Sequence, residues 1–513
     1  MARSIAPYVL RRRDALAGSA ALAAAPLLRA AQAAAPKGKM PVDQYQAYDG
    51  LGLAELIAKG EIEPRELLEA AITRLEATNP KVNCIAAKLY DHGRRQVADG
   101  LPRGPFTGVP FLLKDLSVAL AGTVTGSGSK FFQDDMAGVD TTTVVRYKRA
   151  GLVIFGKTTT PELGLTGTTE SIPHGLTRNP WNLDLTVGGS SGGAGAAVAV
   201  GIVPMANASD GAGSIRTPAS CCGVFGLKPS RARVPLGPLR LEGWNGLGTV
   251  HAVSRSVRDN AALLDATAGP DVGDPYAALP PARPFVQEVG ADPGKLRIAL
   301  MLKPTSGAAV SAECLAAARD AAKLCESLGH IVEEAQPPID HAATNAGVFT
   351  TLGVATVQQL EARSARAGRP VTEADVEPVT WYFYQEGKKA TGVAYANARA
   401  AFDQAGRAMA EFLQTYDVIL SPTLAKPPVK LGLLSLSPAN FDDYVKEVTT
   451  FGPFTALANI CGQPAMSVPL HWSADGLPIG VMFAGRIGDE ATLYRLAGQL
   501  ETARPWFNRR PPI

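Results

Sequence analysis

The sequence predicts an α/β fold in which helices cover both faces of a mixed β-sheet. Residues 105–157 hold an apolar strand, a polar loop, a helix near 141–150 and a second strand. The same alternation returns later, where strands at 296–301 and 330–334 flank a helix at 312–328. Strands that alternate with helices are typical of a sheet packed between two helical layers.

The helical segments begin near residue 48. Apolar residues recur at helical spacing from 48 to 78, with a break at Gly60, and Pro64 suits the first turn of a second helix. Six further elements are predicted after residue 231: a helix opening at 253–259, an irregular connector at 269–295, a mainly helical segment at 340–413, strands at 416–422 and 465–470, and a final helix at 490–500.

The composition favours a soluble enzyme and gives no electrostatic reason to expect a nucleic-acid partner. Hydrophobic residues make up 46% of the chain and charged residues 19%, which is near the globular average. The formal charge is +3, but residues 1–33 contain five arginines and one aspartate, a surplus of four positive charges. The remainder of the chain therefore carries about −1, which does not attract a polyanion.

Residues 1–33 have the pattern of a twin-arginine-type export signal. Arg12 and Arg13 begin an Arg-Arg-x-x-Leu text, and the Ala/Leu run that follows ends in Ala31-Gln32-Ala33, which fits a small-residue cleavage site. Arg29 interrupts this weakly apolar run, so we expect no stable membrane insertion. A periplasmic or secreted protein is predicted, and a disordered basic start is the alternative.

The cysteines do not indicate a metal site. No two of them have Cys-x-x-Cys spacing, so zinc and thioredoxin-like sites are disfavoured, and no metal or other cofactor is predicted. The six are Cys84, Cys221, Cys222, Cys314, Cys325 and Cys461.

Two Gly/Ser turns form the first candidate site. Gly-Gly-Ser-Ser-Gly-Gly at 188–193 and Asp-Gly-Ala-Gly-Ser-Ile-Arg at 210–216 flank a small-residue segment, 194–204, that suits a buried helix. Glycine permits positive φ and close backbone approach, so each turn can direct several N–H groups at one anion. Ser214 is a plausible nucleophile beside such groups, although Gly/Ser clusters are also simply loops.

Lys114 is the second candidate. It ends an apolar run that begins at Gly108, and lysine is rarely buried without a partner. If the run is a core strand, desolvation lowers the lysine pKa, and a serine hydroxyl needs a neutral base of this kind. The alternative is that Lys114 extends to solvent beside Asp115.

Together these motifs resemble the amidase signature family. Along the chain the motifs are Lys114, the turn at 188–193 and the turn at 210–216, and the segments 178–182 and 218–229 also match the family. The resemblance covers nearly the whole chain after the leader and implies one large domain of the amidase signature fold. That domain would span 40–513, with its signature core at about 105–230 and a variable cover at about 340–450.

The resemblance also implies the roles of the site residues. Ser214 would be the nucleophile, Ser190 the bridging serine after a cis peptide bond, and Lys114 the general base. The oxyanion hole would use backbone N–H groups of Gly211, Ala212 and Gly213. Residues that support the site or bind substrate would be Gly189, Ser191, Asp210 and Arg216.

One residue departs from the family's usual text. Glycine is common where this chain has Ala212, and alanine keeps its N–H group but resists positive φ. The oxyanion hole would therefore be distorted only if this position needs that conformation. Similar text occurs in the 6-aminohexanoate cyclic-dimer hydrolase branch of the family, which favours a harmless change.

The resemblance implies hydrolysis of a non-peptide carboxylic amide, linear or cyclic, through an acyl-enzyme. A small-molecule amide is the expected partner, and a homodimer is left open. The sequence most resembles the 6-aminohexanoate cyclic-dimer hydrolase branch, while aryl or fatty acylamides, carbamates and esters stay open as substrates. We expect the cover at 340–450 to set this choice and its part at 340–413 to form the outer wall of the substrate pocket. The aromatic residues at 381–384 would lie either in that wall or in the core.

Two readings of other kinds compete with an amidase. The text at 188–192 matches the G-x-S-x-G elbow of α/β-hydrolases, with Ser190 as nucleophile, but 182–187 reads as a poor strand and no histidine has a supporting context. An exported solute-binding protein is the non-catalytic alternative, yet a binder does not require a buried lysine beside two serine turns.

Overall fold

The computed structural model describes residues 40–513, so the predicted export signal lies outside the described residues. Its strands are β1 (Ile85–Lys88), β2 (Pro110–Lys114), β3 (Val153–Thr158), β4 (Glu170–Ser171), β5 (Gly175–Leu176), β6 (Arg178–Asn179), β7 (Asn182–Thr186), β8 (Met205–Asp210), β9 (Phe225–Lys228), β10 (Thr249–Ser254), β11 (Arg297–Leu300), β12 (Ile331–Glu334), β13 (Val418–Pro422), β14 (Ala465–Trp472) and β15 (Pro478–Ala484).

The α-helices of the same residues are α1 (Val42–Gln46), α2 (Gly50–Ala58), α3 (Pro64–Val82), α4 (Tyr90–Ala98), α5 (Thr142–Arg149), α6 (Gly192–Ala199), α7 (Arg216–Cys222), α8 (Val257–Thr267), α9 (Ala312–Ser327), α10 (His341–Ala367), α11 (Pro378–Lys389), α12 (Gly392–Phe412), α13 (Phe441–Phe451), α14 (Ala456–Ile460) and α15 (Glu490–Ala503).

Eleven strands form one mixed sheet in the order β1-β3-β2-β8-β10-β9-β14-β15-β13-β11-β12. β2 is parallel to β3 and β8, β11 is parallel to β12 and β13, and the strands between these two groups are antiparallel. Every residue of β2, β3, β8, β10 and β15 is buried, so helices cover both faces of the sheet. The predicted fold class is confirmed.

Local sequence explains several element boundaries. The predicted break at Gly60 separates α2 from α3, and α3 starts where Pro64 occupies the first turn and Glu63 forms a reciprocal capping box with Glu66. The small-residue helix α6 is buried along its whole length. It ends at Ala199, before the end of the predicted segment, because Gly201 adopts the left-handed conformation (φ 75°) that commonly follows a helix end.

One predicted helix start is wrong. Residues 253 and 254 end β10, and α8 begins only at Val257, where the Ser256 side chain caps the helix by accepting from the N–H of Asp259. β10 pairs with β8 and β9, so its backbone groups are satisfied across the sheet rather than along a helix. The predicted connector at 269–295 is irregular apart from a short 3-10 helix at Phe285–Gln287.

The topology places the polar turns together. β2 ends at Lys114, and its parallel neighbour β8 ends at Asp210, so the two residues lie at the same edge of the sheet. Clefts outside the carboxyl ends of strands are the usual binding sites of α/β sheets. Separately, no helix within residues 40–513 is long and apolar enough to cross a membrane.

Candidate active site

Lys114 is held inside the protein at the end of β2. Its side chain is fully buried, and its backbone N–H donates to Asn207 Oδ1 at 3.0 Å. Burial lowers the pKa of Lys114 to about 7 from an ordinary 10.5, against the opposing effect of the Asp210 charge. The strand therefore carries the lysine inward, and the alternative in which it reaches solvent does not occur.

Three serine hydroxyls surround the lysine amine. Lys114 Nζ lies 2.7 Å from Ser190 Oγ, 2.9 Å from Ser191 Oγ and 3.1 Å from Ser209 Oγ. Ser190 and Ser191 come from the first Gly/Ser turn, while Ser209 comes from β8, beside β2 in the sheet. The predicted pair Lys114 and Ser190 is thus in direct contact.

The hydrogen-bond pattern suits a neutral lysine. Ser191 Oγ donates to the Ser209 carbonyl at 3.1 Å and accepts from the Ser209 N–H at 3.2 Å, so toward Lys114 it can only accept. A neutral amine has two N–H groups and one lone pair. If the two N–H groups donate to Ser191 Oγ and Ser209 Oγ, the lone pair faces Ser190 and can accept the proton of its hydroxyl.

The first turn is shaped by close backbone packing. The peptide bond between Gly189 and Ser190 is cis. A Cβ at Gly189 would lie 2.0 Å from the Thr168 carbonyl oxygen, so only glycine fits there. α6 begins two residues later at Gly192, whose N–H donates to Thr169 Oγ1.

Asp210 and Arg216 form a buried ion pair behind the second turn. Arg216 Nε and Nη2 donate to the two Asp210 oxygens at 3.0 and 2.9 Å, and neither side chain is exposed. Burial alone would raise the pKa of Asp210, but the charge and hydrogen bonds of Arg216 hold that pKa well below its usual range. The same carboxylate accepts from the backbone N–H groups of Gly213 and Ile215 and so fixes the turn around Ser214.

The turn at 211–214 leaves several N–H groups open. Among the described residues, the N–H groups of Gly211, Ala212 and Ser214 have no protein acceptor, which suits an oxyanion hole. Gly213 differs from the prediction, because its N–H already donates to Asp210 Oδ1 at 2.7 Å. Positive φ falls at Gly213 (134°) and not at Ala212, so alanine is accommodated without strain.

Ser190 and Ser214 line one narrow inner cavity with about 30 Å³ of water-accessible space. Trp244, Arg240 and Gln359 of α10 form part of its wall. An outer cavity of about 460 Å³ shares Trp244, Arg240 and Gln359, so the two spaces join. The nucleophile candidate is 8% exposed, in keeping with a buried site reached through the outer cavity.

Sequence reasoning missed four residues that shape the site. Ser209 and Asn207 stand two residues apart on β8 and both contact Lys114, so polar residues at this spacing in a buried strand were a usable signal. Thr455 Oγ1 donates to the Ala212 carbonyl, and Asn459 Nδ2 donates to Asp210 Oδ1. These two lie more than 200 residues from the turn, and nothing local marks them.

The predicted outer wall agrees with the structure, because α10 lines the outer cavity along the stretch from Ala355 to Arg366. The inner cavity differs: residues 236–250 provide much of its wall, and α10 contributes Gln359. The aromatic residues at 381–384 belong to the core alternative: Phe383 and Tyr384 are buried in a cluster with Leu360, and Tyr382 faces outward.

The structure does not support the alternative that residues 188–192 form the nucleophile elbow of an α/β-hydrolase. Contrary to expectation, residues 182–186 are a strand, but β7 pairs with the two-residue β6 and through one isolated bridge with Lys430, and it stands outside the central sheet. The nucleophile elbow of α/β-hydrolases follows a strand of the main sheet. All six cysteines are buried and free, and no metal-ligand cluster occurs within residues 40–513.

Comparison with known proteins identifies the family. A family model described as Amidase matches residues 66–494. The chain belongs to the amidase family. A 6-aminohexanoate-cyclic-dimer hydrolase of Paenarthrobacter ureafaciens is 40% identical over 487 residues, which are 92% of this chain and 97% of that protein. An acylamidase of Rhodococcus erythropolis is 34% identical over 472 residues, 90% of this chain and 96% of that protein.

Solved structures agree with the sequence relatives. The structure of a 6-aminohexanoate cyclic dimer hydrolase matches this amidase with a TM-score of 0.87 at 38% identity, over 91% of this chain and 99% of the other. A bacterial aryl acylamidase of the amidase signature family matches with a TM-score of 0.81 at 27% identity, over 90% and 96%. The predicted resemblance is confirmed, and this amidase is a hydrolase of carbon–nitrogen bonds in non-peptide amides.

Proposed function

We propose that this amidase cleaves a carboxylic amide through an acyl-enzyme on Ser214, with Ser190 and Lys114 as the proton relay. The observation that carries the proposal is the 2.7 Å contact between Lys114 Nζ and Ser190 Oγ, beside the cavity that Ser214 lines. A serine hydroxyl is a weak nucleophile until a neighbouring base takes its proton. A pKa of about 7 suits that base at neutral pH.

In the first half-reaction, Ser214 Oγ attacks the amide carbon while its proton passes to Ser190 and the Ser190 proton passes to Lys114. The carbonyl oxygen becomes negative and accepts from the N–H groups of Ala212 and Ser214, with that of Gly211 nearby. The C–N bond then breaks as the leaving nitrogen takes a proton back through Ser190.

In the second half-reaction, water attacks the ester formed on Ser214. The water proton passes through Ser190 to Lys114, and the same proton returns to Ser214 Oγ when the ester bond breaks. The products are a carboxylic acid and an amine. Asp210 and Arg216 support the steps indirectly, because their ion pair holds the turn that carries Ser214 and its N–H groups.

We propose a small linear or cyclic amide as substrate, such as the cyclic dimer of 6-aminohexanoate. The relatives at 40% identity hydrolyse that dimer by name. The outer cavity, with a volume of about 460 Å³, also lies in the range of roughly 300–1,000 Å³ that is common for small-molecule sites. Aryl acylamides are the second candidate, because an aryl acylamidase shares the fold over nine-tenths of the chain.

The test is release of free amine by the purified protein from two substrates, the 6-aminohexanoate cyclic dimer and hexanoic acid anilide. We expect the wild-type protein to cleave at least one of them and the Ser214→Ala variant to cleave neither. Cys221→Ala, at a buried position in the adjacent α7, is the control for substitution near the turn. Failure of the wild type on both amides would contradict the proposed function.

We also propose that the chain is exported through a twin-arginine signal at residues 1–33. The support is the Arg12-Arg13 pair with its following Ala/Leu run. Replacing both arginines by lysine should leave the protein in the cytoplasmic fraction of the producing cell. Unchanged export would contradict the signal. The possible homodimer is tested separately, by light scattering of the purified protein.

A further inference from the structure

Within residues 40–513, Arg240 is a cation of the cavity whose guanidinium has no protein partner. Among the described residues, no oxygen lies within hydrogen-bond or ion-pair distance of it. The side chain is partly buried, and the charge that acts on it most is the like charge of Arg366. A guanidinium carries five N–H donors, and those of Arg240 are left to water or to a ligand in the cavity.

The other charges that line the two cavities are paired, apart from Glu242, an exposed carboxylate of the outer cavity. Asp210 is paired with Arg216, and Arg366 in the outer cavity is paired with Asp135 at 2.7 Å. Lys114 has a pKa of about 7 and faces serine hydroxyls. Within residues 40–513, Arg240 is therefore the unpaired cation that lines the cavity with Ser214.

The position of Arg240 suits one end of a substrate. It lines both the inner cavity, which contains Ser214, and the outer cavity, so it lies where the two spaces meet. Apolar side chains, including Phe132, Leu239 and Met136, line the outer cavity. An amide with its carbonyl at Ser214 and a short apolar spacer would bring a terminal group to Arg240.

We propose that Arg240 binds a carboxylate of the substrate, so that this amidase prefers linear amides with a terminal carboxylate over uncharged amides of similar size. Carboxylates match the planar fork of a guanidinium and can accept two parallel hydrogen bonds from it. The inference rests on the proposed function and narrows it, because a cyclic dimer carries no charge for Arg240 to bind.

The experiment compares kcat/KM for two matched pairs of amides. In the first pair the acyl half differs: the mono-4-nitroanilide of adipic acid against the 4-nitroanilide of 6-methylheptanoic acid. In the second pair the amine half differs: N-hexanoyl-6-aminohexanoate against N-hexylhexanamide. We expect the wild type to prefer the carboxylate in at least one pair by about tenfold or more, as charge-assisted bidentate bonds require.

The variants isolate the guanidinium. Arg240→Gln should remove the preference by lowering kcat/KM for the carboxylate substrate, while kcat/KM for the neutral substrate stays within about twofold of wild type. Arg240→Lys should restore part of the preference, because the positive charge remains although the planar guanidinium is lost. Arg407→Gln, the same change at an exposed arginine outside both cavities, should keep the wild-type preference. Should Arg240→Gln fold poorly, as judged by its thermal transition, the carboxylate preference of Arg240→Lys is compared with that of the wild type instead.

The outcomes separate the inference from the proposed function. Turnover of the amides with no preference in either pair, or equal losses for charged and neutral substrates in the Arg240 variants, would overturn the role of Arg240 and leave the amidase reaction standing. No Ser214-dependent turnover of any of the four amides would overturn the proposed function, and the inference with it.

Discussion

Lys114 and Lys228 are two buried lysines that resemble each other in burial and pKa but differ in their neighbours. Each ends a strand of the main sheet, and neither is more than 1% exposed. Burial lowers the pKa of each to about 7. Lys114 contacts three serine hydroxyls beside the cavity, whereas Lys228 Nζ donates to the Pro229 carbonyl at 2.8 Å.

The difference shows what a lowered pKa can and cannot identify. Desolvation makes any buried lysine a potential base at neutral pH. Only a lysine that contacts a hydroxyl in a chain leading to the substrate can use that property. By this criterion we propose Lys114 as the base and Lys228 as a structural residue near the Arg216 charge.

The largest effect is expected at Ser214, the proposed end of the proton relay that begins at Lys114. Ser214→Ala should lower kcat by at least about 10⁴-fold, because no covalent intermediate can form. The measurement is amine release under saturating substrate, with the thermal transition as the control for folding. Residual activity within tenfold of wild type would mean that the Lys114 relay does not end at Ser214.

The two lysines themselves give the next largest effect. Lys114→Met should lower kcat by about 10²–10⁴-fold, the range for loss of a general base, while Lys228→Met should stay within about tenfold of wild type. Methionine fills a similar volume in both sites, so the comparison isolates the amine. Equal losses in the two variants would show that burial of any lysine, rather than its contact with Ser190, matters.

The hydroxyls around Lys114 should differ among themselves. Ser190→Ala interrupts the relay and should cost about 10²-fold or more in kcat, whereas Ser209→Ala removes only one acceptor of the lysine and should cost less than about tenfold. Single-turnover kinetics of the two variants decide this. If Ser209→Ala is the more damaging change, the proton route passes through β8 instead.

The pH dependence should follow Lys114. Its depressed pKa means that the lysine is charged and inactive as a base below about pH 7, so kcat/KM should rise by about tenfold per pH unit up to pH 7 and then level. Lys228→Met should leave this profile unchanged. A profile flat from pH 5 to 9 would rule out a lysine base with this pKa.

The smallest effect concerns stability and should be shared by both lysines. Each is protonated in the unfolded chain up to about pH 10.5 but neutral in the folded protein above about pH 7, so the unfolded state binds more protons in this window. The free energy of unfolding should therefore rise with pH, by at most about 1.4 kcal/mol per unit for each lysine.

Denaturant titrations between pH 7 and 10 measure this slope. Lys114→Met and Lys228→Met should reduce the slope equally, although only the first reduces activity. A change confined to one variant would show that the two lysines are not equally desolvated.

Sequence reasoning worked where the chemistry is local. The turns at 188–193 and 210–216 each carry their own glycines and serines, and Lys114 follows an apolar strand, so each piece could be found from adjacent residues. Sequence reasoning failed where tertiary packing determines the secondary structure. β10 is buried on both faces and shows no alternation, which made 253–259 read as a helix start.

Long-range contacts account for the other omissions. Thr455 and Asn459 reach the nucleophile turn from α14, and Arg240 reaches the cavity from an irregular loop after the densest motifs. Nothing in the neighbouring residues marks these positions, because their roles arise only when distant segments pack together. The prediction therefore covered the outer wall of the pocket, which α10 helps to form, and missed residues 236–250, which form much of the inner wall.

The most direct test of the Lys114–Ser190–Ser214 relay is intact mass and peptide mapping after reaction with a serine-directed fluorophosphonate. We predict one adduct on Ser214 in the wild type and in Lys228→Met, and none in Lys114→Met over the same time. An adduct on Ser190, or equal labelling of the two lysine variants, would contradict the relay.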